Sequence, residues 1–167
     1  MPPPCFADKA QKQTKSTAVR GLQLLCGPRL SAGELCMENY VAKHDKLMRL
    51  LQMRIESATP EHAVVTMPLT PDHRNGMGFA HGGAIFSLAD VAFGAAANAG
   101  KLTGVVSLST AIEFLRPGKT GPLRAEAIAV RRGAHIQSYD VMVYDSDGSL
   151  IARCMASGYQ TDIALPA

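Results

Sequence analysis

The sequence predicts an α+β fold in which one long apolar helix is enclosed by an antiparallel sheet. Two observations carry that prediction. Residues Gly82 to Ala99 form an alanine-rich run that is apolar nearly all round, the mark of a helix wrapped by protein on every side. The order is helix, two strands, buried helix, then only strands and turns, which is not the alternation of a parallel α/β chain. With 167 residues, 47% apolar and 19% charged, the chain has the size and composition of one globular domain with a real core.

Residues 1–33 differ from the rest. Pro2, Pro3 and Pro4 precede a polar basic run with Lys9, Lys12, Lys15 and Arg20, and a short apolar patch, Leu22 to Leu25, closes at Gly27-Pro28. No periodicity is sustained there, so the segment reads as a flexible arm, and the folded domain is expected over 34–163. Met37 as the natural start, or an organelle-targeting segment, are the alternatives.

From Glu34 onward Val41, Leu47, Met48, Leu50 and Leu51 fall near helical spacing, which predicts a short helix. Met53 to Ser57 reads as the first strand, Ala58-Thr59-Pro60-Glu61 as a turn, and His62 to Leu69 as a strand with a β-branched centre. The stretch from Pro71 to Gly78 holds proline, asparagine and two glycines and reads as a loop. After the apolar helix, strands are expected over Val105 to Leu115, Leu123 to Arg132, Ile136 to Asp145 and Leu150 to Tyr159. Asp145-Ser146-Asp147-Gly148 is the turn between the last two.

Several function classes are excluded at once. The formal net charge is +3 and the basic residues are dispersed, so no nucleic-acid partner is expected. The apolar run from Gly82 to Gly100 carries Asp90 at its middle, which argues against a membrane span. Cys5, Cys26, Cys36 and Cys154 show no C-x-x-C pair, which favours free thiols and a cytoplasmic setting. The five histidines show no zinc spacing, and no metal is expected.

Two features point to chemistry. Asp90 is a carboxylate on an otherwise apolar helix, so its charge has lost water. It is either a functional group or a structural one bonded to a neighbouring backbone, and the residues alone leave both open. His81-Gly82-Gly83 opens the same helix. Glycines there leave backbone N–H donors unshielded, and with the helix dipole they make a site for developing negative charge. Gly82 and Asp90 are about 12 Å apart along the axis, at about 1.5 Å per residue. That is too far for both to act on one carbon within a chain. A symmetric dimer resolves it by bringing the helix start of one copy to Asp90 of the other.

Asn75 could orient a water or hold the opposite carboxylate; Gly76 after it equally suits a turn residue. His81 is better read as setting the helix start than as catalytic. Phe79 is expected at a pocket mouth, with Phe86 and Phe93 in core or dimer packing.

The constellation Asn75, His81-Gly82-Gly83 and Asp90, followed by Val106-Ser107 and Glu113-Phe114-Leu115-Arg116-Pro117-Gly118, resembles the PaaI-type thioesterases of the hotdog superfamily. The similarity runs from about Leu50 to Thr161. It implies a hotdog fold, a dimer or dimer of dimers, and acyl-coenzyme A as substrate without metal or redox cofactor. Asp90 would then be general base or nucleophile, the Gly82 N–H would polarise the thioester carbonyl, and Asn75 would position water or the acyl group. His81, Gly83, Ser107 and Phe79 would contact substrate, and Arg132-Gly133 would meet the nucleotide part of coenzyme A. Two other readings stand beside it: an acyl-CoA sensor that binds without hydrolysis, and an enoyl-CoA hydratase or dehydratase, which would have to use His81.

Overall fold

The computed structural model describes residues 39–166. The expected arm over 1–33, the domain start at Glu34 and the alternative start at Met37 lie outside the described residues.

The predicted leading helix is two short ones, α1 (Tyr40–His44) and α2 (Lys46–Leu50). They part at Asp45, whose extended backbone (ψ 111°) ends the first while its carboxylate accepts from the Met48 N–H at 2.9 Å to cap the second. Aspartate is a favoured N-cap because its oxygen satisfies a donor the helix leaves free. Asn39 caps α1 in the same way through the Val41 N–H and also donates to the Ala95 carbonyl at 3.0 Å. That bond ties the helix pair to the central helix.

Strands β1 (Arg54–Ala58) and β2 (His62–Met67) form an antiparallel hairpin. Strand β2 stops short of the expected Leu69 because Pro68 has no N–H for the ladder. A 3₁₀ turn, Pro71–His73, leads through a loop into α3 (Gly82–Ala97). The remaining strands are β3 (Thr103–Phe114), β4 (Leu123–Arg132), β5 (Ile136–Tyr144) and β6 (Leu150–Ala164). The sheet order is β1-β2-β4-β5-β6-β3, with every neighbouring pair antiparallel. Strand β6 runs beyond the expected Tyr159 because its end pairs with the start of β3, Thr103 opposite Ala164. The Gln160 amide reinforces that pairing through the Thr103 carbonyl at 3.0 Å.

The sheet wraps α3 in the hotdog arrangement. Leu88, Ala89, Ala92, Ala95 and Ala96 have no exposure and meet Val65, Ala125, Ala127 and Val141, likewise fully buried. Alanine on both surfaces lets the helix lie close to the strands, and burial of this apolar area is the main stabilising term. Phe93 is buried against Tyr139, ring centroids 5.4 Å apart and edge to face.

The sheet covers α3 as expected on all but one side, where a stripe stays open in the single chain. Gly83, Phe86, Ser87 and Asp90 follow helical spacing along one stripe and remain exposed or half-buried in the single chain. Phe86 keeps 36% of its surface open. Its neighbours on the helix's other faces are covered by the sheet and by α1 and α2.

The β5–β6 turn does more than reverse the chain. Asp145 is buried, and its carboxylate accepts from the backbone N–H groups of Lys119, Thr120, Gly121 and Ser146 and from the Thr120 hydroxyl, at 2.7–3.2 Å. Burial acts to raise its pKa, but these donors together outweigh it and hold the group well below its ordinary 3.8. Asp145→Ala should lower stability by about 3 kcal/mol or more, since several buried donors lose a charged acceptor. A thermal melt should show a fall of roughly 10 °C. Because the folded-state pKa is depressed, this stabilisation is present above the unfolded value and is lost as pH falls through the folded value. The wild type's advantage over Asp145→Ala should therefore shrink only in strong acid.

Candidate functional site

The loop between β2 and α3 is anchored before it reaches the helix. The buried His73 ring donates from Nδ1 to the Pro68 carbonyl at 2.6 Å, and the His81 N–H donates to the His73 carbonyl at 2.8 Å. The Ala80 N–H donates to the Gly118 carbonyl at 2.9 Å, docking the loop on the segment after β3. A side chain at Gly118 would meet the Ala80 and Ile151 methyls at 3.0–3.1 Å, so the close approach favours glycine.

Asn75 sits at the tight turn of this loop. Its side-chain oxygen accepts from the Met77 and Phe79 N–H groups at 2.9 and 3.2 Å. The turn role and the binding role foreseen for it are therefore compatible. The oxygen is used by the backbone, while the amide NH₂ has no partner among the described residues.

At the helix start, the His81 Nδ1 accepts from the Gly83 N–H at 2.9 Å. This is the capping role expected for His81, and it requires the neutral ring to carry its proton on Nε2. The Gly83 N–H is thereby occupied. The Gly82 N–H has no acceptor among the described residues and stands at the positive end of a 16-residue helix.

Asn75, Phe79 and Gly82 meet in one cavity of about 340 Å³, which Ile85, Phe114 and Arg116 also line. Phe114 is the residue that sequence reasoning undervalued, having entered only within the Glu113–Gly118 motif. It ends β3 opposite Ala152, on the face of the sheet turned to the helix, and its ring lies against Gly82. Strand alternation together with that cross-strand pairing is the signal that would have found it.

Asp90 is not part of this cavity. It lies further along α3 on the uncovered stripe, half-buried, with no hydrogen bond to its carboxylate among the described residues. Burial raises its pKa above the ordinary 3.8, and the negative charge of Asp45 at the α1–α2 junction adds to the rise. The structural alternative, a carboxylate bonded to a nearby backbone group, finds no such bond here. Ser107 is exposed on the edge strand β3, 3.1 Å from the Thr110 hydroxyl. Arg132 is paired with Glu61, and the Gly133 N–H closes the β4–β5 turn on the Ile136 carbonyl at 2.9 Å. None of these three lines the cavity. No three His, Cys, Asp or Glu side chains among the described residues are grouped to hold a metal ion. No described helix is long and apolar enough to cross a membrane.

Comparison with known proteins gives this geometry a family. The model of the thioesterase superfamily matches residues 77–152. The chain is 38% identical over 111 residues to the acyl-coenzyme A thioesterase PaaI of Escherichia coli, spanning 66% of this chain and 79% of that protein. The chain belongs to the thioesterase superfamily.

Solved structures of PaaI-type thioesterases share its fold. The Escherichia coli PaaI protein of the phenylacetic acid degradation operon superposes with a TM-score of 0.73 at 30% identity, covering 81% of this chain and all of that one (100%). A mutant of the phenylacetic acid degradation protein PaaI from Thermus thermophilus gives 0.63 at 32% identity, covering 70% and 100%. This chain is thus a hotdog thioester hydrolase of the PaaI type. A thioesterase must polarise a carbonyl and deliver an oxygen nucleophile to its carbon. In this chain the Gly82 N–H, without an acceptor among the described residues, and the half-buried Asp90 carboxylate lie about two helical turns apart on α3.

Proposed function

We propose that the enzyme hydrolyses acyl-coenzyme A to a free carboxylic acid and coenzyme A, in sites shared between the two subunits of a homodimer. The observation that carries this reading is the separation within one helix. Gly82, whose N–H has no acceptor among the described residues, lines the Asn75–Phe79 cavity, and Asp90 lies on the uncovered stripe outside it. Pairing two such stripes across a twofold axis covers Phe86 and brings each Asp90 to the other chain's helix start.

In that assembly the thioester carbonyl oxygen accepts from the Gly82 N–H, which stabilises the charge that develops on it. Asp90 of the other subunit either takes a proton from the attacking water or attacks the carbonyl carbon itself. The Asn75 NH₂ group holds the water or the acyl oxygen. In the first route breakdown of the tetrahedral intermediate expels the coenzyme A thiolate, which takes up the proton Asp90 removed from water. In the second it leaves an acyl–Asp90 anhydride, which water hydrolyses to the free acid and the restored carboxylate, the proton released going to the thiolate. The reaction asks for no metal or redox group. The dimer of dimers and the cytoplasmic setting belong to the same reading. Ser107, His81, Gly83 and the Arg132–Gly133 turn are second to these residues, since the contacts they make within the chain already engage them.

Mixing inactive subunits tests the sharing. Asp90→Asn and Gly82→Pro chains are each expected to be inactive alone. Co-expressed, they form heterodimers in which one site carries both changes and the other neither, and thiol release should return. If the mixed enzyme stays as inactive as its parents, the site is not shared.

A further inference from the structure

The cavity beside Gly82 is shaped by one ring. Phe114 stands with Cζ 3.3 Å, Cε1 3.6 Å and Cε2 3.8 Å from the position a Cβ on Gly82 would take. The ring therefore lies against the helix start, next to the N–H that receives the carbonyl oxygen. Any group attached to that carbonyl carbon on the cavity side must run along it. Phe79 and Leu115 also line the cavity, and Arg116 is the one charged residue among those lining it.

The chemistry of this lining selects which half of a thioester enters. A hydrocarbon acyl group can lie against Phe79, Ile85, Phe114 and Leu115 without stranding a polar group, while Asn75, Arg116 and the Gly82 N–H are left to meet the polar thioester end. The part of the cavity formed by one chain holds about 340 Å³, at the low end of the roughly 300–1,000 Å³ of ligand sites.

We infer that Phe114 is the specificity-determining residue that limits the acyl group to compact apolar chains or rings, by closing the cavity beside the carbonyl site. The inference rests on the thioester-hydrolysis reading above and adds the substrate class to it. Phe114 belongs to the edge strand β3 and is 53% exposed in the chain, so shortening it removes a wall rather than a piece of the core.

The test is a panel of acetyl, hexanoyl, decanoyl and palmitoyl thioesters, offered both on coenzyme A and on N-acetylcysteamine. The wild type should favour the shorter acyl groups. In Phe114→Ala the ratio of kcat/KM for decanoyl over acetyl should rise about tenfold or more. Phe114→Leu should fall between, and Phe114→Trp should shift the ratio the other way. The ratio is taken within each variant, so loss of folded protein cancels. Unchanged ratios across all three variants, or a wild type that prefers palmitoyl, overturn the inference. If the N-acetylcysteamine series shows the shift while coenzyme A thioesters are not cleaved, Phe114 keeps its role and coenzyme A as carrier falls. If neither series is cleaved by the wild type, both readings fall.

Discussion

Asp90→Asn should lower kcat for acyl-CoA hydrolysis by about 100–10,000-fold, the usual range for removing a positioned base, and should leave the protein folded. The asparagine keeps the shape of the side chain on α3 but has no charge to attract a proton and no nucleophilic carboxylate. The folded protein should also become slightly more stable at neutral pH. The reason lies in the sign of the pKa change. Burial, aided by Asp45, raises the Asp90 pKa in the folded chain, so folding favours the protonated form. The stability this group contributes is full below its unfolded value and is lost as pH rises through its folded value. At neutral pH the charged carboxylate is therefore a net cost to the fold, which the amide removes. The same shift sets the activity profile. In the wild type kcat/KM should rise with pH along a limb displaced above the ordinary carboxylate range, and that limb should be missing in the variant. Thermal melts and a pH series of thiol release check both parts. Wild-type turnover by Asp90→Asn would remove Asp90 from the mechanism.

Gly82→Pro should lower kcat by about 100–1,000-fold, as expected when one donor to the developing oxyanion is lost. Gly82 is the first residue of α3, and proline is well tolerated at that position because the missing N–H has no helical partner there. The substitution thus deletes the donor and keeps the helix. Gly82→Ala is the control, since it retains the N–H. Its Cβ would approach the Phe114 ring at 3.3 Å, so it should cost some activity through a small ring shift, but far less than proline. Similar rates for the proline and alanine variants would show that the Gly82 N–H does not carry the effect.

Much of this architecture was legible in the sequence because it is written in local periodicity. The alanine-rich run from Gly82 and the strand pattern after it identify the helix and its wrapping sheet. The strands at Leu123 and Ile136 begin where the pattern puts them. What stayed hidden depends on contacts between distant segments. The break at Asp45 turns on whether its carboxylate caps Met48 or continues a helix, and the periodicity of Val41 to Leu51 is the same in both cases. The turn at Asp145 was visible, but not its grip on Lys119 and Gly121, 26 and 24 residues away. Phe114 reads as one more β-former until β3 is paired with β6 and its ring is found at Gly82. The exposed stripe on α3 was only half legible, since Phe86 was placed in core or dimer packing without a choice between them. Hydropathy registers that Phe86 and the glycines are apolar or small, and it does not register whether the chain's own sheet covers them.

The carboxylate of Asp145 has a reach beyond its own hairpin. The amides it gathers follow closely on Arg116 and Pro117, which line the cavity beside Gly82. Asp145 thus holds the segment from one side, while the Leu115 and Arg116 N–H groups bonded to the Ile151 carbonyl hold it from the other. On the acyl-binding reading, a change in the length of the β5–β6 hairpin is therefore expected to be felt in the cavity through Arg116 and Pro117.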